Sequence, residues 1–528
     1  MNKQTVQDDY TEMVENAIEQ EKYLIEQKTK QLRQCFDSEG DSSNSKFPDE
    51  LVMDSLANNE KEDADLYSEE FRGKFIYDNA ANKWFIWHNQ YWDKDTRWEA
   101  LAATGQIVNI YKEKLNGLYA LKEQIIEDNK NANVLELENN IKMLERRISS
   151  LNTLSRQKSV IELSSIGRNS LGISGDEWDN NSWVIGCPNG VLDLKTGQLR
   201  NGKPDDYIKT ITKAEWTGLD IPSPAFEQFL KDTFDDKKEL IAYIQRLLGS
   251  SLVGECIDHV FPILYGQGRN GKTTLIETIR NVLGNYVGPI QAEMLLKQSQ
   301  SRSSAGPSPD IMKLRGKRLV WASETDLNRQ LNIGKIKWLV GGDTLTGREL
   351  YGRHEVDFKP MFTLMLLTNH KPHVGADEYA LWQRIHLIPF EFSFIDDPKE
   401  ANERKRDPNL MSKLKTEASG ILAWLMRGCL EWQRIGLKPP IEVLVATEEY
   451  KSEENILGHF LNDCIIKSIG SKIQAKDLYN SYKQWCMDNG HRVLTSTSFG
   501  QKIKKVLKFK SGAIILYLDI KLIDANNN

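Results

Sequence analysis

GQGRNGKTTL, residues 266–275, lies between the apolar run Phe261-Pro262-Ile263-Leu264-Tyr265 and a segment of helical periodicity. Gly266, four residues, then Gly271-Lys272-Thr273 is the spacing of a phosphate-binding loop, and a strand before it with a helix after it is the setting such a loop requires. Gly266, Gly268 and Gly271 open backbone conformations closed to residues with a Cβ, so successive N–H groups can turn inward around a phosphate at a helix N-terminus. Lys272 would neutralise the β/γ oxygens and the Thr273 hydroxyl would ligate Mg²⁺, with Asn270 and Thr274 completing the expected contacts. The helix expectation rests on Leu275, Ile276, Ile279, Val282 and Leu283, one apolar stripe stopped by Gly284. ATP and Mg²⁺ are therefore the expected cofactors.

The 528 residues, 40% hydrophobic and 27% charged, have the composition of a soluble protein of several domains. No stretch approaches the roughly 18 uninterrupted apolar residues of a membrane span, and the first residues contain no apolar signal core, so a cytoplasmic location without a membrane partner is expected. Cys35, Cys187, Cys256, Cys429, Cys464 and Cys486 form no C-x-x-C pair, which argues for reduced thiols and against a zinc ribbon or a zinc-dependent primase head.

The net charge of −6 is unevenly spread. Residues 37–70 hold twelve acids against two lysines and read as a solvated acidic linker, whereas 472–510 hold nine Lys/Arg against two Asp. Residues 1–34 read as one charged helix. From Phe71 to Trp98, nine aromatics crowd 28 residues between turn signals, predicting a small β-meander. Its aromatics read as core, with single-strand base stacking beside Arg72, Lys74, Lys83 and Lys94 as the alternative. Val134, Leu137, Ile141, Leu144, Ile148 and Leu151 predict a helix within an intramolecular hairpin, in a helical segment spanning 100–165. The hairpin signal Asn189–Gly197 closes this N-terminal domain near residue 218.

Beyond the loop, further buried strands with polar ends are expected. Arg318–Glu324 reads as an apolar strand ending in an acid, Glu324, placed to polarise the attacking water and to stand on the metal side, with Asp326 as second choice. Met361–Asn369 is the next, with the Asn369 amide positioned to sense the γ-phosphate. His370 and His373 flank it without a third ligand and read as structural rather than metal-binding. Arg384, before the strand Ile385–Phe390, suits an arginine finger that reaches a neighbouring subunit's ATP. Between the acid-ended and Asn369 strands, Tyr351-Gly352-Arg353-His354 marks a hairpin tip; in a ring it would enter the pore, where Arg353 and His354 grip phosphates, with Lys335, Lys337 and Arg348 nearby. A solvated or subunit-facing charge set is the alternative for these three.

In the C-terminal segment, Leu478, Tyr479, Tyr482 and Trp485 form one helical face, and Thr495–Ser498 offer caps to a second helix carrying Lys502, Lys504, Lys505 and Lys508. Followed by an extended Ala513–Leu518, this predicts a winged helix-turn-helix that binds duplex DNA through its second helix or, alternatively, packs against protein.

The ordered set of loop, Glu324, IKWLVGGDTLTGRELY, LLTNHKP and LWQRIHLIPF resembles the superfamily 3 helicases, in the phage and plasmid primase–helicase branch that includes the poxvirus replication helicase. KWFIWHNQYWDKD and NGVLDLKTGQL resemble the N-terminal domain attached to those helicases, and LYNSYKQWCMDNG with STSFGQKIKK their C-terminal segment, so the likeness spans about residues 66–520. It implies an α/β protein: an AAA+-like P-loop ATPase core with an α+β N-terminal domain and a C-terminal winged helix-turn-helix. The expected divisions are 1–34 helix, 35–65 acidic linker, 66–218 helicase-associated domain, 219–395 ATPase, 396–455 helical connector and 456–528 winged helix. The resemblance implies a ring, usually hexameric, moving on DNA, with Lys272 and Thr273, Glu324, Asn369 and Arg384 in the family's catalytic positions and the hairpin's basic pair near Arg353 and His354. Two departures stand out: Gln383 precedes Arg384 where many relatives have a second arginine, and only some 65 residues precede the helicase-associated domain, so priming is expected from a separate primase or polymerase. A DNA helicase of a phage or mobile element is the expected function; an ATP-regulated origin-binding initiator or loader without processive unwinding is the alternative, and a small-molecule P-loop kinase leaves the basic hairpin unexplained.

Overall fold

Charge pairing and aromatic packing organise the first part of the chain, and a parallel sheet organises the second. The computed structural model describes residues 60–127, 134–298, 307–323, 330–348, 355–491, 493–512 and 514–523. Two compact units result: one runs to Asn180 and takes in Gly202–Lys209, the other holds Asn181–Asn201 and everything from Thr210. The expected helix over 1–34 lies outside the described residues, as does most of the 35–65 segment.

The first unit opens with α1 (Glu60–Glu70), which corrects the acidic-linker expectation for residues 60–65. Asp63 is the reason: its carboxylate is fully buried and accepts from Tyr111 Oη (2.8 Å), Arg147 Nη1 (2.7 Å) and Arg156 Nε (3.1 Å). A carboxylate with two guanidiniums belongs to a folded interior, not to a solvated linker. The meander forms as predicted from β1 (Phe75–Asp78), β2 (Lys83–Trp87) and β3 (Trp92–Lys94). Helices α2 (Thr104–Glu127) and α3 (Val134–Leu151) pair as the predicted hairpin, burying Leu137, Ile141, Leu144 and Leu151, and α4 (Leu154–Leu163) follows. A short β4 (Gly172–Ile173) adds in parallel to β1. Of the nine aromatics, five are half-buried, Trp98 is exposed, and three, Phe71, Phe75 and Trp92, are buried; Trp92 Nε1 donates to the Pro204 carbonyl (2.9 Å). This favours core over base stacking for those rings.

The second unit begins with an antiparallel sheet of β5 (Val184–Cys187), β6 (Gly190–Asp193) and β7 (Leu199–Arg200). The hairpin is where the turn signal put it, but the expected boundary at 218 is not where the chain divides. Ile185, Cys187, Leu192 and Leu194 share one buried cluster with the helix after the glycine loop, so apolar burial, not chain order, assigns the hairpin to this unit. Next come α5 (Pro224–Phe234) and α6 (Lys238–Ser250).

The central elements are β8 (Phe261–Tyr265), α7 (Lys272–Leu283), β9 (Val287–Ile290), β10 (Leu319–Ser323), α8 (Ile333–Val340), β11 (Leu345–Gly347), β12 (Val356–Phe358), β13 (Thr363–Thr368), α9 (Tyr379–Trp382) and β14 (Ile385–Pro389). Five of them make an all-parallel sheet in the order β14-β8-β13-β10-β9. Near-continuous apolar runs such as Leu319–Ala322 and Leu364–Leu367 fit strands buried on both faces. Strand β13 inserts between β8 and β10, so the end of β13 lies directly beside the glycine loop that leaves β8. On one face the predicted stripe of α7 is buried entire, in a cluster with α6 and α11 (below); on the other, Ile336, Leu339 and Val340 of α8 are buried.

After the sheet, β15 (Ser393–Ile395) pairs in parallel with β16 (Glu403–Lys405), and α10 (Leu410–Thr416), α11 (Ala418–Ile435) and α12 (Ile441–Glu453) follow. Here the expected connector 396–455 is corrected: Ile421, Leu422, Leu425, Met426 and Cys429 of α11 are fully buried and pack on α6. Gly249 and Gly428 allow the contact, since a Cβ on Gly249 would sit 2.3 Å from the Cys429 nitrogen.

The C-terminal segment comprises α13 (Ile456–Cys464), β17 (Ile465–Gln474), α14 (Ala475–Asp488), α15 (Ser496–Ile503), β18 (Phe509–Lys510) and β19 (Leu516–Leu522), with sheet order β17-β19-β18. Leu478, Tyr482, Phe499 and Ile503 are its centre, as the helical faces predict. The ten-residue β17 was not legible as a strand, and the extended stretch expected at 513–518 begins at Leu516. Thr495 caps α15 by accepting from Ser498 N.

Candidate functional site

The glycine loop leaves β8 and closes on α7. Gly271 holds φ +89° as the N-cap of α7, and a Cβ at Gly266 would lie 2.0 Å from Asn270 Nδ2 and 2.4 Å from the Phe390 carbonyl. Asn270 is itself buried, donating to that carbonyl (3.1 Å), which pins the loop to the chain leaving β14. The free N–H groups at the start of α7 and the helix dipole make this point electropositive.

Lys272 supplies the formal charge. It is buried, and its Nζ donates to Gly266 O (2.5 Å), Asn270 Oδ1 (2.8 Å) and Asn369 Oδ1 (3.1 Å). All three acceptors are neutral oxygens, and among the described residues no carboxylate is ion-paired with this lysine. Burial without a counter-charge lowers its pKa to about 8. The Asn369 contact joins residues 97 apart in sequence, because β13 ends next to β8.

A cavity of about 530 Å³ opens over this point, lined by Gly268, Gly271, Lys272, Thr273, Thr274 and Asn369. Its other wall comes from residues that sequence reading missed: Phe229 of α5 and the segment from Phe394 to Met411. That segment is tied to the loop by Phe394 N donating to Arg269 O (2.8 Å). The only forewarning in the sequence was a charged stretch, DDPKEANERKRDP, between the last sheet strand and the next helix. The residues fit a nucleoside triphosphate: a glycine cradle that a Cβ would fill, a buried ammonium facing neutral oxygens, a helix N-terminus and a hydroxyl at Thr273.

The other expected site residues are placed as follows. Glu324, Asp326, Arg353 and His354 lie outside the described residues; β10 ends at Ser323, just before Glu324. Strands β11 and β12 pair antiparallel (Leu345↔Phe358, Gly347↔Val356), giving the arms of the expected hairpin, and Arg348 follows the first arm with its N–H on Ser308 Oγ (3.0 Å). Arg384 sits just before β14, whose Ile385 pairs with Phe261 at the start of β8. It therefore lies at the opposite end of the sheet from the loop, a five-residue strand or about 16 Å away. Its Nη1 donates to Ala380 O (2.5 Å), while its Nε is buried with no hydrogen-bond partner among the described residues.

Several basic candidates are engaged within the chain. Lys337 lies 3.8 Å from Glu378, and Lys502 donates to Asp377 Oδ1 (2.7 Å), holding that carboxyl below its ordinary pKa despite its partial burial. Lys335 is on the first turn of α8, its N–H capped by Asn332. Helix α15 stops at Ile503, so Lys504 caps it and Lys505 and Lys508 lie beyond it; this corrects the reading that placed all four lysines on the helix, since the following turn carries Lys504 and Lys505 and Lys508 stands just before β18. Lys504 Nζ lies over the Phe509 ring. His373 faces Glu454 (3.2 Å) rather than His370, whose N–H is turned to Thr368 Oγ1. No helix among the described residues is long and apolar enough to cross a membrane.

Comparison with known proteins defines the class. Residues 64–235 match the D5 N-terminal-like family, 452–515 the poxvirus D5 protein-like family, and 264–384 a family of unknown function (DUF5906). "Putative helicase L207/L206" of Acanthamoeba polyphaga mimivirus is 30% identical over 438 residues, covering 79% of this chain and 44% of its own length. "Putative primase C962R" of African swine fever virus (isolate Warthog/Namibia) is 22% identical over 325 residues, 58% of this chain and 33% of its own. Among solved structures, the apo NrS-1 C-terminal region (305–718) aligns over 87% of this chain and 99% of its own with a TM-score of 0.40 and 11% identity. Segments of the chain thus match the D5 N-terminal-like and poxvirus D5 protein-like families, and its relatives are named putative viral helicases and primases, which supports a D5-like primase–helicase family. It spans less than half the length of the curated relatives it matches.

Proposed function

We propose that this protein is an ATP-driven DNA helicase serving replication of a viral or other mobile genome, working in the cytoplasm or its host equivalent. The observation that carries the reading is the convergence of Lys272, Asn270 and Asn369 over the ends of β8 and β13, at the mouth of a nucleotide-sized cavity. A lysine presented to neutral oxygens gains most from a polyphosphate, and Asn369 is close enough to follow the γ-phosphate. Thr273 and Glu324 would hold Mg²⁺, which would supply charge neutralisation of the phosphate oxygens.

Arg384 cannot serve its own chain's nucleotide from the far end of the sheet. It fits the expected arginine finger only if a second copy sets that end against its loop, which supports a ring, expected to be hexameric. The antiparallel arms β11 and β12 would then carry Arg353 and His354 into a pore to hold single-stranded DNA by its phosphates. The C-terminal helices and three-stranded sheet fit a winged helix with duplex DNA as partner; priming would fall to a separate primase or polymerase.

The test is ATP turnover with and without DNA for the native protein, Lys272→Ala, Arg384→Ala and an equimolar mixture of the two variants. DNA-stimulated turnover, loss of at least about a hundredfold in each variant and partial recovery in the mixture are expected. Full turnover in Arg384→Ala would remove the shared site. Unwinding of a forked duplex separates the helicase from an initiator or loader.

A further inference from the structure

We infer that Arg406 is a second nucleotide-binding cation, carried on a strap that closes the triphosphate site from the same chain. This rests on the nucleotide reading above and extends it to residues outside the loop, the strand ends and the finger.

The strap is the chain from Ser393 to Met411. Its base is the parallel pair β15 and β16, in which Ser393, Phe394 and Ile395 face Glu403, Arg404 and Lys405. Arg406 follows directly, its N–H on the Ile395 carbonyl (2.8 Å), so its backbone is fixed by the same pairing. At the other end, Phe394 N donates to the carbonyl of Arg269, a loop residue at φ +64°. Loop and strap are thus one hydrogen-bonded body, and both line the cavity that Lys272 enters.

The charges of the strap are not equivalent. Arg404 is spent on structure: it pairs with Asp235 (2.8 Å) and stacks over Phe392 (4.1 Å). Asp407 receives Lys413 Nζ (2.7 Å) and Asn409 N (2.9 Å), which hold its carboxyl below the ordinary range. Asp407 is thereby neutralised by a neighbour on α10, and Arg406 is an exposed residue lining the same cavity as Lys272. Leu410 and Met411, half-buried against the core, give the same wall an apolar stretch. The phosphate end of the site is defined by the loop. The strap wall sets Ile395, Leu410 and Met411 beside one guanidinium, Arg406, and two carboxylates, Asp407 and Asp396; its aliphatic part suits the nucleoside end, giving apolar contact for ribose and base, with Arg406 as the charge for the phosphate nearest them.

The experiment is calorimetric binding of the non-hydrolysable analogue AMP-PNP with Mg²⁺ to the full chain, in native, Lys272→Ala, Arg406→Ala and Arg406→Lys forms, each checked by thermal melting. Arg406→Ala is expected to weaken binding about tenfold, or about 1.4 kcal/mol, with an unchanged melt, and Arg406→Lys to recover part of the loss. If Lys272→Ala abolishes binding while Arg406→Ala stays within twofold of native, the strap inference fails and the nucleotide reading stands. Unchanged binding in Lys272→Ala overturns both. Should Arg406→Ala not fold, native-like affinity in a folded Arg406→Gln overturns the inference equally.

Discussion

Asp63 in the first unit and Lys272 in the second are both charged groups withdrawn from water, and they are compensated in opposite ways. Asp63 meets two guanidiniums and a phenol hydroxyl, every partner within the same unit. Lys272 meets a carbonyl and two side-chain amides, none of them charged. A buried ion with counter-ions in place is architecture, since removing a partner strands the others in a low dielectric. A buried ion held only by dipoles retains most of its unbalanced field, and that field is what an incoming polyanion finds. The difference marks Asp63 as a structural charge and supports the proposed phosphate-binding role of Lys272 without reference to any motif.

The contrast can be broken most forcefully at its structural end. Asp63→Ala removes the buried carboxylate that Arg147 and Arg156 share, leaving Arg156 its half-exposed partner Glu60 at 3.1 Å, and should cost about 3–5 kcal/mol, read as a lowered denaturation midpoint, with AMP-PNP affinity at the other unit unchanged. A smaller effect is expected from making Lys272 resemble Asp63: Asn369→Asp sets a carboxylate at 3.1 Å from Nζ. Such a pair should raise the melting temperature of the nucleotide-free protein and weaken AMP-PNP binding roughly tenfold; tighter binding would contradict the contrast. Least in size is a pH effect. With the Lys272 pKa lowered to about 8, the free protein loses its ammonium as pH rises through 8, whereas bound phosphate favours the charged form and raises that pKa. Affinity should be flat below pH 8 and fall by up to about tenfold per unit above it, with proton uptake on binding in that range. Flat affinity to pH 9.5 would show that burial does not lower this lysine, which then keeps its ammonium across the range.

Which parts were legible follows the same division between local and long-range causes. The apolar stripe Leu275, Ile276, Ile279, Val282 and Leu283 is buried as its spacing predicts, and the runs ending at Ser323 and Thr368 are strands because unbroken apolar stretches suit a sheet covered on both faces. Asp63 misled because acidic density alone resembles a linker, and its two arginines lie 84 and 93 residues away. The same applies to α11, read as a connector although its small residues Gly420 and Gly428 admit close backbone contact with neighbours invisible along the chain. Lys502 was assigned to DNA from its surroundings in sequence, yet its nearest anion is Asp377, 125 residues earlier.

By itself the amino-acid sequence determined the loop chemistry, the helix that follows and the polar residues at strand ends, because glycine freedom, apolar periodicity and side-chain type act over a few residues. Only the tertiary structure decided that β13 lies between β8 and β10, that Asn369 therefore touches Lys272, that Arg384 lies at the far end of the sheet from its own loop, and that a strap bearing Arg406 walls the cavity. Those relations depend on which apolar faces bury against one another across the whole chain, a global balance that no short stretch encodes.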